Sequence, residues 1–363
     1  MRIRCQREAL SKALAGVSRA VASRSPIPAI EGILFTVLDS SIILTGYNLE
    51  LGIKTTIPAI VEEAGDIVIN AALLNDMVRK TTNSEVLIYT DSYSHIFLQC
   101  GIAKFDFSGI IASDFPELPT PETEDTMTFL GSDIKEMIDM TLFAVSSDDS
   151  KPVYTGARFL MEENLFSIIA VDGYRLAINK KVVSNSKYRS FIVPGKTLAE
   201  VSRLIDGDDE ITISTARRYA IFKLKDFTIT TRLLEGDFID HNYSIPKGFK
   251  TRVRINVSDF YNAVERASLV ISNVVLNAVK IKFEENLSIV SCNTSIGKSY
   301  DEIVSVNEGE DIEMGFNSRY LLDALNHCNT DEVFLEINEK SAPIKIVPIE
   351  GDDFLFLVLP VRI

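Results

Sequence analysis

The side chains in this sequence that could do covalent chemistry do not converge on one place. Histidine occurs at His95, His241 and His327, at non-equivalent points of the chain. Acidic pairs stand at Asp148-Asp149, Asp208-Asp209 and Asp352-Asp353, in stretches that read as turns, where carboxylates cap backbone amides in water. General acid–base catalysis would need such a group held against a substrate proton with a displaced pKa, and the spacing provides nothing of that kind. Gly195-Lys196-Thr197 has the ending of a phosphate-binding loop, but that motif needs a glycine five residues before Gly195, and Ser190 stands there. The four cysteines, Cys5, Cys100, Cys292 and Cys328, form no CxxC pair, so neither a zinc site nor a redox dithiol is indicated. No catalytic residue, no metal and no cofactor is expected.

What remains is binding chemistry carried on helices. Lys12 and Arg19 recur at i, i+7 on one predicted helix, away from its apolar face, and Lys196 and Arg203 do the same on another. Arg79-Lys80, Arg266 and Arg319 add cations near other helices, whereas Lys135 stands beside Glu136 and Asp139 and does not continue the stripe. On one helix such a stripe is a solvated face. Repeated on helices that line a common surface, it sums to a positive channel inside an acidic body. The net charge of −14 speaks against nucleic acid for the chain as a whole, because phosphate binding needs clustered Lys and Arg.

The elements that position these residues recur three times. MRIRCQREALSKALAGVSRAV from Met1, MTFLGSDIKEMIDMTLFAVS from Met127 and TRVRINVSDFYNAVERASLVIS from Thr251 each read as a strand followed by an amphipathic helix. Their apolar positions are Leu10, Leu14, Val17 and Val21; Ile134, Ile138, Thr141 and Val145; and Phe260, Val264, Ala267 and Ile271. All follow i, i+4, i+7, i+11, one helical face. A second strand–helix–strand unit begins at Gly65, Phe191 and Glu310, with caps at Asn70, Asn317 and the Pro194-Gly195 entry. Hairpins read at Gly32–Leu38 with Ile42–Thr45 and at Arg158–Met161 with Phe166–Val171.

The fold class is therefore α+β: three similar domains, each two helices packed on antiparallel sheets, spanning 1–121, 122–246 and 247–363. Short linkers at 116–125 and 244–251 join them. At 363 residues and 46% apolar composition, each third can bury a core of its own. The N-terminus has no apolar core of a signal peptide, and the densest apolar run, Phe354–Val361, is far short of a membrane span. A cytoplasmic protein is expected.

DFPELP at Asp114–Pro119, VDGYRLA at Val171–Ala177, EGDFIDHNYSIP at Glu235–Pro246, GFNSRYLLDAL at Gly315–Leu325 and the terminal LVLPVRI, with the threefold repeat, resemble the bacterial sliding-clamp family, in collinear order over the whole chain. The resemblance implies a head-to-tail homodimer closing a ring of six similar domains around double-stranded DNA. It implies no catalysis, and a separate loader that opens the ring. Topology would then supply retention, so a few phosphate contacts suffice and the net negative charge is no obstacle. The implied DNA-facing residues are Lys12, Arg19, Arg24, Lys196 and Arg203, with Arg24 carried over from the family's N-terminal loop. Ala72 and Leu73 stand where the family often has basic residues, and a second departure lies near Ser147-Asp148, where polar or basic DNA-facing residues are common in the family.

The resemblance also implies a pocket for an extended apolar peptide from the polymerase alpha subunit, other polymerases, the loader and repair factors. Its positions here are Tyr154, Val171, Gly173, Tyr174, Arg175, Leu176, Ile239, Leu276, Pro343, Val358, Leu359, Pro360, Val361 and Arg362. Asp172-Gly173 reads as a tight hairpin turn. Gly46, Tyr47 and Leu49 of the first repeat align with Gly173, Tyr174 and Leu176, which would make those three scaffold and Arg175 the functional change. Ile239 and Tyr243 depart from the family pattern at the rim. The implied dimer contact sets Phe105 and Phe107 against Val270 and Ile271, although Ile271 also fits its own helix face. Two other readings stand against the clamp: an enzyme with a polar cleft between repeats, and a repeat-built interaction module unrelated to DNA. Both lack the ring.

Overall fold

The computed structural model describes residues 1–120, 122, 125–184, 187–271 and 278–362. Every strand pair is antiparallel, and six α-helices occur among the described residues: α1 (Arg7–Val17), α2 (Ala71–Lys80), α3 (Gly131–Leu142), α4 (Gly195–Leu204), α5 (Val257–Ser268) and α6 (Ser318–Asn326). The α+β class holds. In each of the first, third and fifth helices the first three residues of the apolar stripe are buried: Leu10, Leu14 and Val17; Ile134, Ile138 and Thr141; Phe260, Val264 and Ala267. The fourth, Val21, Val145 or Ile271, lies beyond the helix end and is half-buried. Ile271 is therefore not part of the α5 face.

The caps form as their chemistry dictates. Asn70 accepts a hydrogen bond from the Leu73 amide at 3.0 Å, and Asn317 accepts one from Arg319 at 3.0 Å. Asn256, which the sequence did not single out, caps α5 by accepting from Asp259 at 3.0 Å. Each satisfies a backbone donor that the first turn leaves unpaired. Gly195-Lys196-Thr197 opens α4 and is no phosphate loop. A side chain at Gly195 would begin 2.9 Å from the Val145 side chain.

The chain divides into two compact units. Residues 1–135 and 200–233 form one, and residues 136–199 and 234–363 the other, so the second sequence repeat contributes strands to both. The first unit holds a five-stranded sheet that ends in the edge strand Ala103–Ser108, and an eight-stranded sheet in which Phe227–Arg232 pairs with Leu51–Pro58. That pairing joins strands of the first and second repeats into one surface.

The second unit is built on a thirteen-stranded sheet. Arg175–Val182 pairs with Phe354–Val358, which again joins two repeats. After Val358 the chain turns at Leu359, and Pro360–Val361 pairs with Ile312–Asn317 at the far end of the same sheet. The buried rings of Phe354 and Phe356 stack at 4.9 Å, and Phe143 meets Phe356 edge-on at 5.2 Å.

One close approach sets how α1 seats in the first unit. A Cβ at Gly46 would lie 2.2 Å from the carbonyl oxygen of Val17, the last residue of α1, and that oxygen cannot rotate away. Gly46→Ala is expected to lower stability by about 1–3 kcal/mol. A urea or thermal melt that matched the wild type would contradict this packing.

Candidate functional site

The site assembles in the second unit around a hairpin. Asp172 Oδ1 accepts from the amides of Tyr174 at 2.9 Å and Arg175 at 3.0 Å, and Gly173 adopts φ 93°, a conformation that only glycine takes without strain. The tight corner read from Asp172-Gly173 is thus present, and the strand Arg175–Val182 starts at its exit.

The equivalent turn in the first repeat corrects the sequence alignment. There Asn48 Oδ1 accepts from the amides of Glu50 and Leu51, and Leu49 takes φ 77°. Asp172 therefore corresponds to Asn48, Gly173 to Leu49, Tyr174 to Glu50 and Arg175 to Leu51. Gly173 and Tyr174 are not scaffold shared with Gly46 and Tyr47. The sequence match of Gly-Tyr in both copies was displaced from the turn chemistry by three residues.

Beyond the corner, residues of four strands, Gly156–Glu162, Leu165–Val171, Arg175–Val182 and Phe354–Val358, build an apolar floor. Leu160, Ile169, Val171, Leu176, Ile178 and Leu357 are buried together, and Tyr154, Phe238, Ile245 and Leu355 pack against them half-buried. Tyr154 and Phe238 meet edge-on at 5.7 Å. Leu359 remains 37% exposed at the rim, and its amide donates to the Tyr174 carbonyl at 2.9 Å. Tyr174 itself is 59% exposed and stacks on Tyr320 of α6 at 5.7 Å. An exposed aromatic and leucine beside a buried apolar floor make a surface suited to an apolar side chain of a partner.

Two expected members play other parts. Val358 is fully buried on the face opposite Leu357 and Leu359, so it belongs to the core. Strict strand alternation would have separated it. The Arg175 side chain is 9% exposed: its Nε donates to Asp172 Oδ2 at 2.9 Å, and Nη1 donates to Asp323 of α6. Its guanidinium lies 4.7 Å from the Tyr320 ring centre and 5.5 Å from that of Phe143. Arg175 is a clamp between the turn and α6. Ile239 is 37% exposed, Pro343, Pro360 and Val361 are half-buried and Arg362 is exposed. Leu276 lies outside the described residues. Sequence reasoning missed Leu160, Ile178, Leu357, Phe238, Tyr320 and Asp323; the i, i+2 spacing of Leu176 with Ile178 and of Leu357 with Leu359 was the available signal.

The predicted cations lie on α1, on α4 and in nearby loops. Lys12 Nζ pairs with Asp226 at 2.6 Å; the hydrogen bond and charge of that carboxylate raise its pKa. Arg19 and Arg203 both pair with Glu200, each at 2.8 Å. Arg24 and Lys196 are exposed and have no ion-pair partner among the described residues. Lys135 donates to the Ser202 carbonyl at 3.2 Å, in keeping with its departure from the stripe.

Phe105 and Phe107 are half-buried on the strand Ala103–Ser108, whose outer side carries no partner strand among the described residues. In the second unit the strand Lys298–Glu308 pairs along residues 298–304 with Leu287–Asn293 alone, which leaves its other side open among the described residues. Val270 and Ile271 are half-buried, and Thr294, in the turn before that strand, donates its hydroxyl to the Val270 carbonyl. Leu269, Tyr300 and Val304 are exposed nearby and were not singled out in the sequence.

His327 Nδ1 donates to the Asp323 carbonyl at 2.7 Å and its ring stacks on Phe143, while His95 is exposed. Burial lowers the pKa of His241. No cluster of three or more potential metal ligands occurs among the described residues. A cavity of about 1210 Å³ lies in the first unit beneath residues 112–120, lined by Thr36, Thr45, Lys54, Lys223 and Thr228 among others, and holds none of the expected pocket residues. No described helix is long and apolar enough to cross a membrane.

Comparison with known proteins accounts for this arrangement. Family models of the DNA polymerase III beta subunit match in order: its N-terminal domain at residues 1–119, its central domain at 130–240 and its C-terminal domain at 243–362. The beta sliding clamp of Staphylococcus epidermidis is 30% identical over 356 residues, covering 95% of this chain and 94% of that protein. The DNA polymerase sliding clamp of Bacillus subtilis superposes with a TM-score of 0.97 at 28% identity, over 100% of this chain and 99% of that one. The DNA polymerase III beta subunit of Pseudomonas aeruginosa superposes with a TM-score of 0.95 at 25% identity, over the full length of both. On this threefold match, the chain belongs to the DNA polymerase III beta subunit family, the bacterial sliding clamps.

Proposed function

We propose that two copies of this chain close head to tail around double-stranded DNA and tether the replicative polymerase alpha subunit, other polymerases, the clamp loader and repair factors through the apolar surface at Tyr174 and Leu359. The family is that of a non-catalytic processivity subunit, so no turnover is assigned to the chain. The observation that carries the peptide reading is the buried floor of Leu176, Ile178 and Leu357 beside an exposed Tyr174 and Leu359. The sides of strands 103–108 and 298–304 that are open among the described residues support the homodimer, because each presents backbone groups that another strand would satisfy. Sheet pairing would then continue from one copy to the next, a heterologous contact that closes by rotation. Lys12, Arg19, Arg24, Lys196 and Arg203 are the proposed DNA-facing set, the domains run 1–121, 122–246 and 247–363, and the place of action is the cytoplasm, where the replicating chromosome lies.

The test is fluorescence anisotropy with a labelled C-terminal peptide of a bacterial replicative polymerase. Saturable binding near micromolar, about −8 kcal/mol, is expected. Leu359→Asp sets a charge on the rim and is expected to weaken it about tenfold or more. Wild-type protein that is folded and dimeric yet binds no such peptide would remove the pocket assignment.

A further inference from the structure

Glu200 stands between two of the cations assigned above to DNA. Its carboxylate accepts from Arg19 Nη1 through one oxygen and from Arg203 Nη1 through the other, both at 2.8 Å. The Glu200 side chain is 18% exposed, against 36% for Arg19 and 58% for Arg203, so the acid sits beneath and the guanidinium groups outside. Arg19 follows the end of α1 and Arg203 lies in the last turn of α4, so one carboxylate ties cations from two helices. Lys12 likewise pairs with a carboxylate, Asp226 at 2.6 Å, there with both side chains exposed.

We propose that Glu200 is a restraint on DNA contact: it holds Arg19 and Arg203 in place and competes with phosphate for their charge, so that the inner basic surface engages duplex weakly enough to slide. The inference rests on the assignment of those two arginines to DNA. A charge-assisted carboxylate–guanidinium pair is among the stronger hydrogen bonds, and a phosphate oxygen must displace it or share the donor. A partly buried pair is also less screened by salt than an exposed one, so the restraint persists where phosphate contacts fade. Retention by topology makes weak contact tolerable, whereas tight phosphate binding would oppose movement along the duplex.

The experiment measures binding to a short linear duplex across a salt series for the full dimer, with peptide affinity and melting temperature recorded for every variant. Glu200→Gln keeps the shape and removes the charge. It is expected to tighten duplex binding roughly threefold to tenfold at low salt and to steepen the dependence of log K on log salt by about one, as one more phosphate contact per dimer would. Asp226→Asn is expected to act in the same direction through Lys12. A purely structural role for Glu200 would shift the melt and leave the salt slope unchanged. If Glu200→Gln leaves binding and slope unchanged while the Arg19→Ala/Arg203→Ala double variant weakens both, the restraint is overturned and the DNA assignment stands. If the double variant also changes nothing, the DNA assignment itself is lost. Weaker binding by Glu200→Gln would also overturn the restraint, since Glu200 would then be aiding contact.

Discussion

Arg175→Ala is expected to lose about 2–4 kcal/mol of stability and to weaken partner-peptide binding roughly tenfold. The side chain is 9% exposed and bridges Asp172 and Asp323 while its plane lies over Tyr320 and Phe143. Removing it strands the Asp172 carboxylate, which is 12% exposed, without a counter-charge. The loss falls below the full cost of a broken buried pair for two reasons: Asp172 keeps its two amide donors, and Asp323 is 35% exposed and can be solvated. The peptide effect is indirect. Asp172, Tyr174 and Leu359 form one hydrogen-bonded corner, so loosening the clamp to α6 lets the exposed Tyr174 and Leu359 shift relative to the apolar floor. Arg175→Lys is expected to recover less than half of the stability, because a single ammonium cannot serve two carboxylates in a fork and stack between two rings. Chemical denaturation together with the anisotropy titration measures both parts. A variant that lost peptide affinity with unchanged stability would instead make Arg175 a direct peptide ligand.

Asp106→Pro is expected to convert the proposed dimer to monomer and to abolish retention on closed circular DNA. The strand Ala103–Ser108 is at the end of its sheet, and the Gly109 amide donates to the Ser94 carbonyl. Alternation along an antiparallel ladder then turns the amides of residues 103, 105 and 107 inward and those of 104, 106 and 108 outward. Proline at 106 removes an outward donor without breaking an internal bond, which an edge strand tolerates. The apolar surface at Tyr174 is formed by residues of the other unit, so peptide affinity should persist and serves as the test of folding. Sedimentation equilibrium reads the mass and gel filtration of clamp on nicked versus linearised circles reads the retention. A variant that stayed dimeric would move the contact away from this edge and take Phe105 and Phe107 out of it.

Much of this molecule was legible where the signal is local. The stripes Leu10–Leu14–Val17 and Phe260–Val264–Ala267 follow the period of a helix with one buried face, and those residues are buried. Asn70 and Asn317 cap because a short amide side chain reaches the next turn's amides wherever it occurs. Asp172-Gly173 makes a tight corner because an acceptor side chain and a residue free to take positive φ are both supplied within the turn. Collinear motifs likewise placed the chain in its family.

Tertiary structure decided what depends on partners distant in sequence. The acid that holds Arg175 from α6 is 148 residues away, so the sequence could present Arg175 as an exposed ligand while the fold buries it as a clamp. Glu200 meets Arg19 across 181 residues, and no periodicity on α1 or α4 reports that a shared carboxylate lies between their cations. Among the described residues, strand order left 103–108 and 298–304 open at one side, a property of neighbours and not of the strands. Even the alignment of repeats slipped by three residues at Asn48 and Asp172, since composition matched Gly-Tyr while the backbone matched the turn. Local sequence determines which conformations a segment prefers, because propensity, capping and periodicity act within a few residues. Burial and charge pairing are set by whichever side chains the folded chain brings within a few ångströms, and those come from anywhere along it.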